Sequence, residues 1–301
     1  MSIDAVLGGL LVRQLEHWLP GALHRSRRAT LALAYTGDPG TAEAALRVVA
    51  GFADRLRGRR LTVLVLADGG PELPARLGVV EAGLPGDVAV HVVPGDPARL
   101  PVVLKAAGAA GAPLLTVVDG AAPTPALLAA TTTGRPAEVL LTGTGPSLRP
   151  ALTAAGFPLV AEVELVPADG TPAPLVAFGT GLDKSLEAFK DALWATDAAG
   201  ADGVAVHYRD PAGGLLDVVA EPPTGPLRDE LLAELTRHGP RTVTELRRHA
   251  LTATAYRAGD AGRALTGLLD AGLVTRDPEH GRLGGDVLIS ADPAPAARST
   301  A

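Results

Sequence analysis

Between Thr30 and about Leu193 the chain alternates short apolar runs with helix-like segments, and that alternation limits the available folds more than any other feature. The runs Thr30–Tyr35, Leu61–Ala67, Val88–Val93, Leu114–Val118 and Glu138–Thr142 are nearly all apolar. Strands apolar on both sides belong in a parallel sheet covered on both faces. Between them lie Thr41–Arg57, Glu72–Ala82, Pro97–Ala109 and Thr124–Thr133, which have the length of the helical crossovers that parallel pairs require. The order predicts a doubly wound, Rossmann-like α/β sheet.

The end of the sheet reads differently. Leu159–Val166 and Ala173–Gly179 flank Pro167-Ala168-Asp169-Gly170-Thr171-Pro172, whose Asp-Gly step signals an antiparallel hairpin. A sheet that begins parallel and closes with such a ribbon, seven strands in all, is the arrangement of class I S-adenosylmethionine (SAM)-dependent methyltransferases. Gly203–Tyr208 and Leu215–Glu221 form a second short pair around Asp210-Pro211-Ala212-Gly213-Gly214. The first domain is therefore expected over residues 1–221, with an N-terminal helical segment at 1–28. A Pro-rich linker follows at 222–226. Beyond it, Leu227–Arg237, Thr242–His249 and Tyr256–Ala271 read as three helices. Leu273–Arg276 then pairs with Asp286–Ile289, which makes 227–290 a winged-helix module and leaves 291–301 as a disordered Pro/Ala/Ser-rich tail.

The segment Ala177 to Trp194 carries the most specific wording. A strand ends at Gly179-Thr180-Gly181, and a helix follows with Leu182, Leu186, Phe189 and Leu193 on one face. That spacing leaves Lys184, Glu187, Lys190 and Asp191 in water. Gly181-Leu182 … Lys190-Asp191-Ala192-Leu193-Trp194 … Asp197 resembles the three-Cys-motif partner (TcmP) family. Leu15-Glu16-His17-Trp18-Leu19, Val92-Val93-Pro94-Gly95-Asp96, Glu138-Val139-Leu140-Leu141 and Tyr256 … Ala264-Leu265 … Leu268-Leu269 fall in the same order as that family's landmarks. The resemblance runs from about Leu15 to Ile289. The family's cysteines belong to a partner protein, so the absence of cysteine here is no objection.

The resemblance implies a methyltransferase-like domain and places the cofactor residues. The family's early glycine loop corresponds to Ala34-Tyr35-Thr36-Gly37-Asp38-Pro39-Gly40. Gly37 and Gly40 let the backbone approach a ligand closely, and Asp38 offers a charge to a cofactor amine or sulfonium. A bland turn before a helix explains the same residues equally well. Asp68 either binds the ribose hydroxyls or forms a turn before Gly69-Gly70. Asp96 either contacts the adenine side or caps the helix starting at Pro97. The family's fourth strand ends in Asp-Pro-Phe-Gly. Here Asp119-Gly120-Ala121-Ala122-Pro123 keeps the acid, the candidate catalytic residue, and loses the aromatic stacking surface.

Other chemistries find little support. No cysteine means no disulfide, thiolate metal site or cysteine nucleophile. The seven histidines are scattered without ligand spacing, and Ser185 sits in no Gly-x-Ser-x-Gly elbow, so its place is the first turn of its helix. The N-terminus lacks a signal-peptide pattern, and no apolar run reaches the roughly 20 residues of a membrane span, which fits a cytoplasmic protein. A net charge of −6 supplies no global field for nucleic acid. From Gly225 to Ser290 nine arginines meet nine acids, so duplex DNA binding ranks below packing on a protein partner. The expected function is a divergent member with a degenerate methyltransferase fold, a scaffold with weak or lost SAM binding. The alternatives are an active SAM-dependent methyltransferase and a DNA-binding regulator.

Overall fold

A computed structural model describes residues 3–36, 40–67, 72–167, 173–195, 206–211, 213–219 and 221–292. They fall into two compact units, Met1–Val218 and Val219–Ala301. No helix among the described residues is long and apolar enough to cross a membrane.

In the first unit, β1 (Arg28–Tyr35), β2 (Arg60–Ala67), β3 (Val88–Pro94), β4 (Leu114–Asp119) and β5 (Ala137–Gly143) are parallel. β6 (Leu159–Pro167) and β7 (Leu175–Thr180) close the sheet, with β7 antiparallel between β5 and β6. Two further strands, β8 (Val206–Arg209) and β9 (Leu215–Asp217), extend it, giving the order β3-β2-β1-β4-β5-β7-β6-β8-β9. The strand order from β3 to β6 and the reversed β7 are those of the class I methyltransferase sheet. The expectation of seven strands is corrected to nine. The second short pair joins the same sheet because β8 pairs with β6, where Arg209 Nε meets Glu164 Oε2 at 2.9 Å. The Asp169-Gly170 turn lies outside the described residues.

Among the described residues of this unit, eight helices flank the sheet: α1 (Ile3–Arg25), α2 (Gly40–Gly51), α3 (Ala53–Leu56), α4 (Glu72–Glu81), α5 (Leu100–Ala106), α6 (Pro125–Thr131), α7 (Arg149–Ala155) and α8 (Asp183–Trp194). Leu104, Leu128 and Leu152, from α5, α6 and α7, bury against Ala34, Leu66, Val139 and Leu141 on one face. On the other, α1 packs between α2 and α8, and Phe189 of α8 stacks on Phe178 of β7 at 4.9 Å. The single helix expected over Thr41–Arg57 breaks at Phe52, after Gly51. That over Pro97–Ala109 becomes a 3-10 turn, Pro97–Arg99, and then α5, which stops before Gly108 at φ 63°. α7 has no counterpart among the expected helices. A carboxylate from a distant strand completes its start: Glu162 Oε2 accepts from Leu148 N at 2.6 Å and Arg149 N at 3.0 Å.

The expectation that Lys190 lies in water is also corrected. Its side chain is fully buried, within reach of the charges of Arg149 and Asp210. Burial pushes the ammonium down to about 7, the Arg149 guanidinium adds to the effect, and Asp210 opposes it. Tyr208 anchors β8 to α8, donating its hydroxyl to Leu193 O at 2.6 Å with its ring edge-on to Trp194.

The second unit contains α9 (Gly225–His238), β10 (Arg241–Thr242), α10 (Val243–Ala253), α11 (Ala258–Asp270), β11 (Val274–Asp277) and β12 (Leu288–Ala291), with the antiparallel order β10-β12-β11. A capping box starts α10: Thr242 Oγ1 accepts from Glu245 N, and the Glu245 carboxylate accepts from Thr242 N. The third helix starts at Ala258, two residues after the expected Tyr256. Tyr256 is buried in the approach to it, with its hydroxyl donated to Pro223 O at 2.9 Å.

Candidate functional site

The sheet order reverses direction between β1 and β4, so the carboxyl ends of these strands form the topological switch point where doubly wound folds bind ligands. Cross-strand register brings Ala67, Tyr35, Asp119 and Thr142 into one row across the tips of β2, β1, β4 and β5. Side chains in one row point to one face. Thr142 accordingly donates its hydroxyl to Asp119 Oδ1. Asp119 makes no other hydrogen bond among the described residues, so Oδ2 remains open.

Above this row lies a cleft in two compartments that share Asp4, Leu7, Asp119 and Thr142. The first, about 470 Å³, is bounded by Gly8 and Leu11 of α1, by Gly40 and Ala44 of α2, and by Val117 and Leu140 below. The second, about 630 Å³, runs over Gly120–Pro123 and Gly143–Thr144 toward Leu148. α1 roofs both through Asp4 and Leu7. Among the described residues the lining includes two carboxylates, Asp4 and Asp119, and no Lys, Arg or His.

Gly120 turns the chain away from β4 at φ 72°, a backbone conformation that glycine adopts without strain. A Cβ there would lie 2.3 Å from Thr36 Oγ1, so the tips of β1 and β4 meet closely at the switch point.

The sequence-derived site residues separate into three groups. Asp119 and Gly40 line the cleft, Gly40 as the first residue of α2. Asp96 does not line it: its Oδ1 accepts from Ala98 N at 2.7 Å and caps the 3-10 turn, as the second of its two readings holds. Gly37, Asp38 and Asp68 lie outside the described residues. The sequence reading missed Thr142, Asp4 and Gly8. The polar end of the apolar run Leu140-Leu141-Thr142 and the Gly8-Gly9 pair inside a helical pattern were the signals available.

No protein-family model matches the chain, and no curated protein matches its sequence. Solved structures that resemble part of it include three methyltransferase-like or synthase folds. A phosphoethanolamine N-methyltransferase 1 from Haemonchus contortus, in complex with phosphoethanolamine and S-adenosylhomocysteine, is 11% identical over 51% of this chain and 37% of its own, with a TM-score of 0.34. A SAM-dependent methyltransferase from Agrobacterium tumefaciens is 17% identical over 56% and 61%, with a TM-score of 0.36. A spermidine synthase from Thermotoga maritima is 13% identical over 62% and 66%, with a TM-score of 0.37. The match spans less than two thirds of each of these proteins. The α/β methyltransferase-like fold rests on strand order and register in this chain itself.

Proposed function

We propose that the first unit is a SAM-dependent methyltransferase domain binding its cofactor in the cleft at the β1/β4 switch point. The observation that carries this reading is the cleft's lining: open, largely apolar, with carboxylates and no basic group. Such a lining suits a ligand with a sulfonium and an amine. Among the described lining residues it offers no cationic side chain to the pyrophosphate of a dinucleotide. When bound, SAM supplies an electrophilic methyl group. Gly40 allows close approach, Gly8 leaves room under α1, and Asp119 presents Oδ2 to the reacting region. Gly37, Asp38 and Asp68 are assigned to the cofactor through the TcmP resemblance alone, and so is kinship with that family. Asp96 serves its turn and is not assigned.

S-adenosylhomocysteine, the stable product, tests this by calorimetry on the full chain. Micromolar binding is expected, and Gly8→Leu should weaken it by about tenfold or more by filling the first compartment. A Cβ at Gly8 meets nothing within 4 Å, so the substitution leaves the fold intact. Absence of binding overturns the proposal.

A second reading, the non-catalytic scaffold expected from sequence, draws on the β4 tip, where Gly120, Ala121 and Ala122 provide no ring for stacking. It ranks second because side chains have not filled the space that the lost aromatic left.

For the second unit we read a winged-helix module that binds protein rather than duplex DNA. Both arginines at its third helix are engaged internally: Arg257 Nε lies 3.0 Å from Asp260 Oδ2, and Arg263 NH2 lies 2.7 Å from Asp260 Oδ1. Arg263 also donates to Pro222 O at 3.2 Å. Phosphate contacts would have to break these bonds. The full chain is therefore expected to pass through immobilised duplex DNA at low salt, and salt-dependent retention would reverse the assignment.

A further inference from the structure

The two compartments differ in what they can recognise, and Asp119 stands between them. The second lies over the tip of β4. Its floor is Gly120, Ala121 and Ala122, Leu148 forms a wall, and Ile3 and Leu7 lie overhead. Apart from hydroxyls and backbone, its polar atoms are the carboxylates of Asp4 at the rim and Asp119 at the junction. Thr142 holds Asp119 Oδ1, which fixes the carboxylate's orientation and leaves Oδ2 open in an apolar surround. A carboxylate so placed repels an anionic group and forms its strongest hydrogen bond with an N–H donor bearing positive charge. Phosphorylated or carboxylated molecules find no cation among the lining residues.

We infer that the second compartment takes a small amine on an apolar body, with Asp119 as the group that receives its proton. This identifies the acceptor for the methyltransferase reading and rests on that reading for the transfer step only. In that step the neutral amine nitrogen forms the N–CH₃ bond with its lone pair. The S–CH₃ bond of SAM breaks, and its electron pair stays on sulfur as a neutral thioether. The extra N–H proton passes to Asp119 Oδ2. Charge balances: one sulfonium and one carboxylate become a thioether and a carboxylic acid. Asp4, exposed at the rim, draws the charged form of the amine toward the cleft before it loses its first proton to solvent.

Recognition can be tested without the cofactor. Hexylamine, hexanol and hexanoate share one apolar body and differ in the polar end, and each is titrated into the full chain by calorimetry at neutral pH. Hexylamine is expected to bind about tenfold or more tighter than hexanoate, with hexanol between. Asp119→Asn should bring the amine to the level of the alcohol. Ala122 is exposed on the cleft floor, so Ala122→Lys tolerates the fold and should reverse the order of amine and acid. This second variant keeps the test decisive if Asp119→Asn melts early. Equal binding of acid and amine, an amine preference that survives both substitutions, or no amine binding at all overturns the inference. S-adenosylhomocysteine binding is measured separately. Amine selectivity without it sinks the methyltransferase reading and keeps the amine site, and the reverse result keeps the cofactor and removes the acceptor.

Discussion

Above pH 7, Glu138→Gln should stabilise the first unit by about 3 kcal/mol, and below pH 4.5 it should change stability little. Glu138 is the second residue of β5, with only 1% of its surface exposed. Its Oε1 accepts from Ser185 Oγ at 3.0 Å, while Oε2 has no partner among the described residues. Burial pushes its carboxyl from 4.5 to about 7, against the lowering effects of the Ser185 bond and the Arg25 charge. Between these two pH values the folded state holds a proton that the unfolded chain has released. Stability therefore falls as pH rises from 4.5 to about 7 and then levels off. Glutamine resembles the protonated acid and can still accept from Ser185, so the variant lacks this slope. Urea unfolding of both proteins across pH 4 to 8 checks the prediction through the difference between the two curves. Parallel curves would show that Glu138 is ionised at no cost.

Measuring the difference matters because Lys190 has the opposite sign. Its ammonium is pushed from 10.5 down to about 7, so between those values the unfolded chain binds a proton that the folded one lacks. Its contribution makes stability rise with pH from about 7 to 10.5, outside the window of Glu138. Both groups are attached to α8, Glu138 through Ser185 and Lys190 directly. The helix whose wording suggested a family thus holds two buried ionisable groups that change charge near neutrality.

That helix shows what the sequence could and could not reveal. Leu186, Phe189 and Leu193 at helical spacing marked the buried face correctly. Lys190 looked solvated because a period records only which residues prefer burial. It does not record that β8 would reach the helix as well. The parallel strands were legible for the complementary reason. β1, β2, β4 and β5 are buried on both faces, so nearly every position is apolar whatever the topology chooses. At the site, Asp119 was legible as an acid ending an apolar run. Thr142 became visible only through register, since no sequence pattern states that β5 lies beside β4 with those two residues opposite. Asp96 had two readings on paper, and a 2.7 Å bond to Ala98 N shows the capping one.

The second large effect is expected at the switch point itself. Gly120→Val should cost about 3 kcal/mol, a fall in Tm of about 10 °C, and should weaken ligand binding in the same variant. Two separate causes act at this position. The backbone stands at φ 72°, where a β-branched side chain is strained, and its Cβ would press to 2.3 Å from Thr36 Oγ1. Thr36 can rotate its hydroxyl away, which relieves part of the second cause and none of the first. Rotation would rearrange the Thr36 side chain at the switch point, so the lost binding should exceed what the lost stability explains. Gly143→Ala is the matched control. It also lines the cleft at a strand tip, but its φ is not positive and its Cβ would meet nothing within 4 Å. Near-equal melting of wild type and Gly143→Ala, beside a large drop for Gly120→Val, would locate the constraint in the β1–β4 approach. If Gly120→Val melted and bound like wild type, the β4 tip would have to adopt another backbone path, and the cleft drawn over it would go with it.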